Sequence, residues 1–182
     1  MESYRDATVD DLVGPNLRLL FVGINPGLWT AATGTHFAHP GNRFYPALFR
    51  AGVIEREIDR GAGMDDADRE HLIRRGIGIT NLVARATAKA SELSTAELRA
   101  GGERLVAFVE HHRPAVVAIA GITAYRAAFG DRLAELGRQP EPFAGADLWI
   151  VPNPSGLNAH ETIDTLAAAY RAPAVAAGVN RD

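Results

Sequence analysis

Three short segments hold the residue types that could do chemistry. The first is Gly23-Ile24-Asn25-Pro26-Gly27, where two glycines and a proline surround one asparagine. Proline fixes a backbone angle and glycine permits close approach, so the loop is expected to be rigid and able to touch a ligand through its main chain. Asn25 presents an amide that donates and accepts hydrogen bonds without titrating. The competing reading is a plain strand-to-helix turn with a capping asparagine. In the second segment, residues 33–45, Phe37 is placed in a loop where it would stack on a planar base, while Phe44 reads as a core residue on a helix. The alternative is that both rings are core. His36 and His39 stand at a tolerable spacing for two metal ligands, but no nearby carboxylate or cysteine completes a site, so no metal is expected. The third segment is Asn153-Pro154-Ser155-Gly156-Leu157-Asn158. It lacks the upstream glycine of a serine-hydrolase elbow. Leu157 stands in a turn, and turns lie at the surface; a buried leucine is the alternative.

These loops need strands and helices to position them. Leu17–Val22 is an apolar, β-rich run that ends in the first loop. Residues 42–51 have helical spacing with Pro46 near the start, and residues 65–75 read as a helix with acids first and arginines last. Residues 77–83 alternate as a short strand. Ser94 and Glu97 form a capping box for a helix to about His112. Pro114–Ala120 is a continuous apolar run typical of a central parallel strand. A helix follows from Gly121 to about Gly130, then a strand at Asp147–Val151 and a last helix from about Glu161 to Ala177, which Pro173 is expected to end early. Alternating strands and helices predict an α/β domain, a three-layer α/β/α sandwich around a mostly parallel sheet. In such sheets ligands bind beyond the carboxyl ends of the strands, where loops 23–27 and 152–158 both fall.

The chain of 182 residues fits a single domain spanning 1–182, with the polar residues 1–12 expected to be a loose arm. Its first residues lack the basic-then-apolar pattern of a secretion signal, so a cytoplasmic protein is the default expectation. There is no cysteine, which excludes disulfides, thiol nucleophiles and cysteine-ligated zinc or iron–sulfur clusters. A net charge of −3 argues against nonspecific coating of nucleic acid but not against an enzyme that touches a few phosphates. Neither a Walker A loop nor Gly-x-Gly-x-x-Gly occurs.

Taken together, Gly-Ile-Asn-Pro-Gly at 23–27, Phe-Ala-His-Pro-Gly-Asn-Arg-Phe at 37–44, Thr-Asn-Leu-Val at 80–83 and Asn-Pro-Ser-Gly-Leu at 153–157 resemble the mismatch-specific uracil/thymine-DNA glycosylase branch of the uracil-DNA glycosylase superfamily. The resemblance runs from about Val13 to Tyr170. It implies that Asn25 positions the hydrolytic water, and that the main chain of Ile24 and Gly27 meets the departing base. By the same resemblance Phe37 stacks on the extruded base, Asn81 adds an amide contact, and Thr30 stands near the base's 5-position, disfavouring thymine's methyl. Asn153 replaces the leaving-group histidine of other branches and makes a weaker electrophile. Leu157 would fill the gap left by the flipped nucleotide, with Ser155, Gly156 and Asn158 addressing the duplex.

The chain departs from the family at Ala159, where an arginine is common, and His160 follows. The implied protein is a cofactor-free, monofunctional glycosylase acting as a monomer on double-stranded DNA with G·U or related mispairs, thymine and ethenocytosine being further candidates. No lysine sits in the catalytic loops to form a Schiff base. A non-catalytic module that binds damaged DNA is the other reading, and a nucleotide hydrolase would need a metal or an acidic pair that the loops do not supply.

Overall fold

A computed structural model of the chain describes residues 1–180. Five strands, β1 (Leu19–Gly23), β2 (Ile77–Asn81), β3 (Val116–Ala120), β4 (Gly137–Arg138) and β5 (Asp147–Val151), form one sheet in the order β2-β1-β3-β5-β4. All pairings are parallel except that of β4 with β5. The helices are α1 (Leu28–Thr33), α2 (Phe44–Arg50), α3 (Asp66–Arg74), α4 (Thr95–His112), α5 (Ile122–Phe129) and α6 (Ile163–Ala177). No helix among the described residues is long and apolar enough to cross a membrane.

Strand side chains alternate between faces. Leu19, Phe21, Ile77, Ile79, Val116 and Ala118 point into one core, which α2, α3 and α6 cover. Leu20, Val22, Val117, Ile119, Leu148 and Ile150 point into the other, under α4 and α5. This is the expected three-layer α/β/α sandwich with a mostly parallel sheet.

The boundaries differ in instructive ways. β2 ends at Asn81 rather than at residue 83: the N–H of Leu82 makes the last regular rung, to the Gly23 carbonyl, and the next N–H, of Val83, then binds the Ile24 carbonyl, which breaks the alternation of the ladder, each bond at 2.9 Å. α6 runs on through Pro173, which is buried with Tyr170, Ala174 and Ala177, so packing outweighs the helix-breaking tendency. The capping box of Ser94 and Glu97 is present at the start of α4. The six-residue α1 and two-residue β4 were not expected.

Residues 1–12 are not a loose arm. Thr8 bridges Arg85 and Leu12 bridges Ile79, both antiparallel, while Arg5 pairs with Glu92 and Asp6 with Arg85. The polar residues that suggested solvation are spent on partners far away in the sequence.

Helix α4 fixes the exit of β2. Arg104 donates to the carbonyls of Asn81 (2.9 Å) and Leu82 (2.7 Å). A Cβ at Gly101 would lie 2.2 Å from the Leu82 carbonyl oxygen. Alanine is favoured over glycine in a helix by about 1 kcal/mol, yet here the clash is with backbone that cannot swing aside. Gly101→Ala is therefore expected to destabilise the fold by about 1–3 kcal/mol, the usual range for overpacking, as read by denaturant unfolding.

Candidate active site

The chain leaves β1 toward β2 on one side, and later returns to place β3 on the other. That reversal opens a crevice at the carboxyl ends of the strands. A cavity of about 1190 Å³ lies there, and Asn25, Thr30, Phe37, Asn81, Asn153 and Leu157 all line it.

The loop after β1 is held by its carbonyls. Leu82 and Val83 bind those of Gly23 and Ile24, and Thr87 N donates to Pro26 O at 3.1 Å. Among the described residues the N–H of Ile24 has no main-chain partner, and Ile24 lines the cavity. Asn25 does not cap α1; the residue at that position is Gly27, without a side-chain cap. Instead Asn25 Nδ2 donates to Arg85 O (3.0 Å) and to Thr87 Oγ1 (2.8 Å). The Thr87 hydroxyl proton goes to Lys89 O at 2.8 Å, which leaves its oxygen as acceptor for Asn25. With both amide protons committed, the Asn25 Oδ1 is the atom left to accept from a ligand. Gly27 is exposed, and a Cβ there would meet only open space, so its smallness matters to whatever enters the cavity.

Phe37 is half-buried, at φ 56°, a left-handed conformation rare for a bulky residue. Its ring stacks on Phe44 with centroids 4.1 Å apart, so Phe44 is core and Phe37 is the layer between core and cavity. Strained residues persist where the surroundings over-determine them. Here Gly23 is part of that constraint: a Cβ on it would lie 3.2 Å from the Phe37 ring and 2.6 Å from Asn81 Oδ1.

Asn81 is buried, and its Nδ2 donates to Nδ1 of His36 at 3.2 Å. His36 Nε2 faces the Asp10 carbonyl at 2.8 Å, so it must carry the proton and Nδ1 must be the acceptor. Both ring nitrogens are thus used by the protein, and burial holds the imidazole below its ordinary pKa of 6.5. Thr30 is buried, with its Oγ1 3.5 Å from Ala38 N.

The 153–158 loop presents Leu157 at 88% exposure, which excludes the core reading. Asn153 Oδ1 accepts from Ser155 N (2.9 Å), leaving its Nδ2 on the side of Gly121 and the cavity. Ser155 Oγ accepts from Leu157 N (3.2 Å), and Asn158 Nδ2 donates to Asn153 O (3.1 Å). Gly156 sits against the loop before α2: a Cβ there would lie 2.7 Å from Gly41 O.

Arg43 carries no role that its sequence neighbours reveal, and the structure supplies one. Its guanidinium donates to the carbonyls of Ser155 (2.6 Å), Asn158 (2.9 Å) and Glu161, while its backbone N donates to Pro154 O (3.0 Å). His36, Arg85 and Thr87 were likewise missed as site residues; nothing local in sequence marks a side chain whose partner is a distant backbone carbonyl. Lys89, the only lysine of the sequence, lies outside loops 23–27 and 153–158 but lines the cavity, as do His39 and His160.

Sequence likeness to a family model extends over most of the chain. The model of the Uracil DNA glycosylase superfamily matches residues 11–174, and the chain belongs to that superfamily. Membership supports a hydrolytic DNA glycosylase active on uracil, and DNA binding with it.

Two outcomes are expected from this geometry. Lysine is a point donor that cannot span three carbonyls as a guanidinium fork does. Arg43→Lys should therefore cost about 2 kcal/mol of stability, read by thermal melting, and should raise protease cleavage in residues 153–161. For His36, the folded pKa is lowered, so the unfolded chain takes up the proton first as pH falls through about 6.5. Its contribution to stability is then intact above that pH and lost below it. His36→Gln keeps a donor and an acceptor without titrating, so melting temperature against pH should fall less steeply on the acid side than in the wild type.

Proposed function

We propose that this chain, as a member of the uracil DNA glycosylase superfamily, is a monofunctional enzyme of base excision repair that hydrolyses the N-glycosidic bond of uracil flipped from G-mispaired double-stranded DNA. The observation that carries the reading is the seat of Asn25. Its Nδ2 is committed to Arg85 O and Thr87 Oγ1, and its Oδ1 is left to orient a water in the cavity.

An amide cannot take the proton of that water, so the glycosidic bond must break first. The base leaves as an anion, and the sugar cation then bonds the positioned water oxygen; the proton that the water loses passes to the departed base anion or to solvent. The Ile24 N–H and Asn153 Nδ2 supply neutral dipoles toward the departing charge. Phe37 offers the stacking face, and Asn81, locked by His36, offers Oδ1. Leu157 is the side chain exposed enough to enter the stack as the nucleotide leaves. Flipping costs a few kcal/mol and least at mispairs, which favours G·U over A·U. Thymine and ethenocytosine opposite guanine are further substrates of this reading, with thymine's methyl disfavoured by Thr30.

Uracil release from a G·U duplex under single-turnover conditions tests the proposal, with A·U, G·T and single-stranded uracil alongside and chelator present. Asn25→Ala is expected to slow release from G·U about 100-fold, the scale of losing alignment of a reacting group, while binding of the duplex is kept. Borohydride should trap no protein–DNA adduct, even though Lys89 lines the cavity. Binding of mismatched duplex without any release would instead make the chain a damage-binding module.

A further inference from the structure

The two acceptors that hold the Asn25 amide, Arg85 O and Thr87 Oγ1, belong to an irregular segment, residues 82–89, beyond the end of β2. Irregular backbone of this kind is ordinarily mobile. Here its outer side is covered by the first eight residues of the chain. Asp6 N donates to Ala86 O at 2.9 Å and Ala86 N to Ala7 O at 2.8 Å, so the arm adds a short antiparallel rung to the segment. Asp6 has φ 62°, which turns the chain out of the short 3-10 helix Glu2–Tyr4 and aims its carboxylate at Arg85, 3.0 Å from Nη1. Arg85 is gripped from its other side by Glu97, at 2.5 and 3.2 Å. One residue earlier, Arg5 binds Glu92 Oε2 at 3.0 Å, and the same carboxylate oxygen accepts from Ala88 N at 3.1 Å. The segment that seats Asn25 is therefore clamped directly at residues 85 and 86 by groups from residues 5–7, and at residue 88 by Glu92, which Arg5 holds in place. Residues 5–7 precede the stretch matched by the family, 11–174.

We infer that residues 5–8 are a brace for the catalytic amide: by fixing Arg85 and Ala86 directly, and Ala88 through Glu92, they hold the backbone on both sides of Thr87 and with it the orientation of Asn25 that presents Oδ1 to the water. These are positioning residues. None touches the cavity wall through its own side chain at Asn25, and their effect passes through two backbone segments. The inference rests on the glycosylase reading for its catalytic meaning, but the seat itself can be measured without catalysis.

The experiment uses the full chain, a variant lacking residues 2–8, and the double variant Arg5→Ala/Asp6→Ala, which keeps the backbone rung. Arg138→Ala, which loses an exposed ion pair with Asp147 at the amino end of β5, is the control. Solvent exchange of the Asn25 side-chain NH₂ protons is followed by NMR, and uracil release from G·U duplex is measured under single turnover together with duplex affinity. Both arm variants are expected to speed NH₂ exchange several-fold and to slow release several-fold, with duplex affinity unchanged and the control like wild type. Should the deletion not fold, the double variant alone decides. Exchange that stays at the wild-type rate in the folded variants would overturn the brace. Faster exchange in the variants, with no uracil release by wild type, would uphold the brace and overturn the glycosylase reading.

Discussion

Past the end of the sheet, the carbonyls of Gly23, Ile24 and Pro26 stay bound to the N–H groups of Leu82, Val83 and Thr87, and the geometry of the site follows from that grip. It extends the parallel pairing of β1 with β2 into loop backbone, where chains are usually loose. Because the carbonyls are turned toward β2's continuation, the N–H of Ile24 is left for the cavity, and Asn25 is carried to within reach of Arg85 O and Thr87 Oγ1. Each such bond is worth only about 1 kcal/mol net. Their number matters more than their strength, since a loop bound at three successive points has little freedom to reorganise. Dipoles fixed in advance are what a charge-separating reaction needs.

The same logic recurs around the rim, with side chains supplying the grip. Arg104 binds the carbonyls at the β2 exit, Tyr170 OH binds Pro152 O after β5, and Arg43 binds three carbonyls of the loop carrying Leu157. Arginine suits this work because one planar fork can serve several acceptors. The sequence has 19 basic side chains and only one of them is lysine. Many of its arginines are thus structural ties turned inward rather than an outward electrostatic field. With a net charge of −3, affinity for a polyanion has to come from close fit at the cavity mouth more than from long-range attraction.

The α/β/α fold was legible because apolar strand runs, capping residues and terminating glycines all act locally. Ser94 and Glu97 are three residues apart, and their capping box could be read directly. The loops at the strand ends were legible for the same reason: Asn25, Phe37, Asn153 and Leu157 sit in short runs whose composition is unusual in itself. What could not be read were partnerships across long separations. The Asp6–Arg85 contact spans 79 residues, and Arg43 reaches 112 residues forward to Ser155. A polar N-terminal stretch looks solvated unless its partners are known, which is why residues 1–12 read as loose. His36 read as half of a weak metal pair, because only the fold brings Asn81 to one ring nitrogen and Asp10 O to the other.

The groups aimed at the reacting centre on the glycosylase reading are neutral. By the resemblance, Asn25 would stand where other branches have a carboxylate base and Asn153 where they have a leaving-group imidazole, while burial, which lowers the His36 pKa, favours the uncharged form that accepts from Asn81. A carboxylate beside the sugar would favour the cation but repel the departing base; amides do neither strongly. On the proposed reading the barrier would be lowered mainly by position, through stacking on Phe37, the oriented water and the fixed N–H groups, and less by charge. Such a site is most effective on bases that already flip and leave readily, so selectivity for mispairs would follow from its modest chemical power rather than from an additional recognition element.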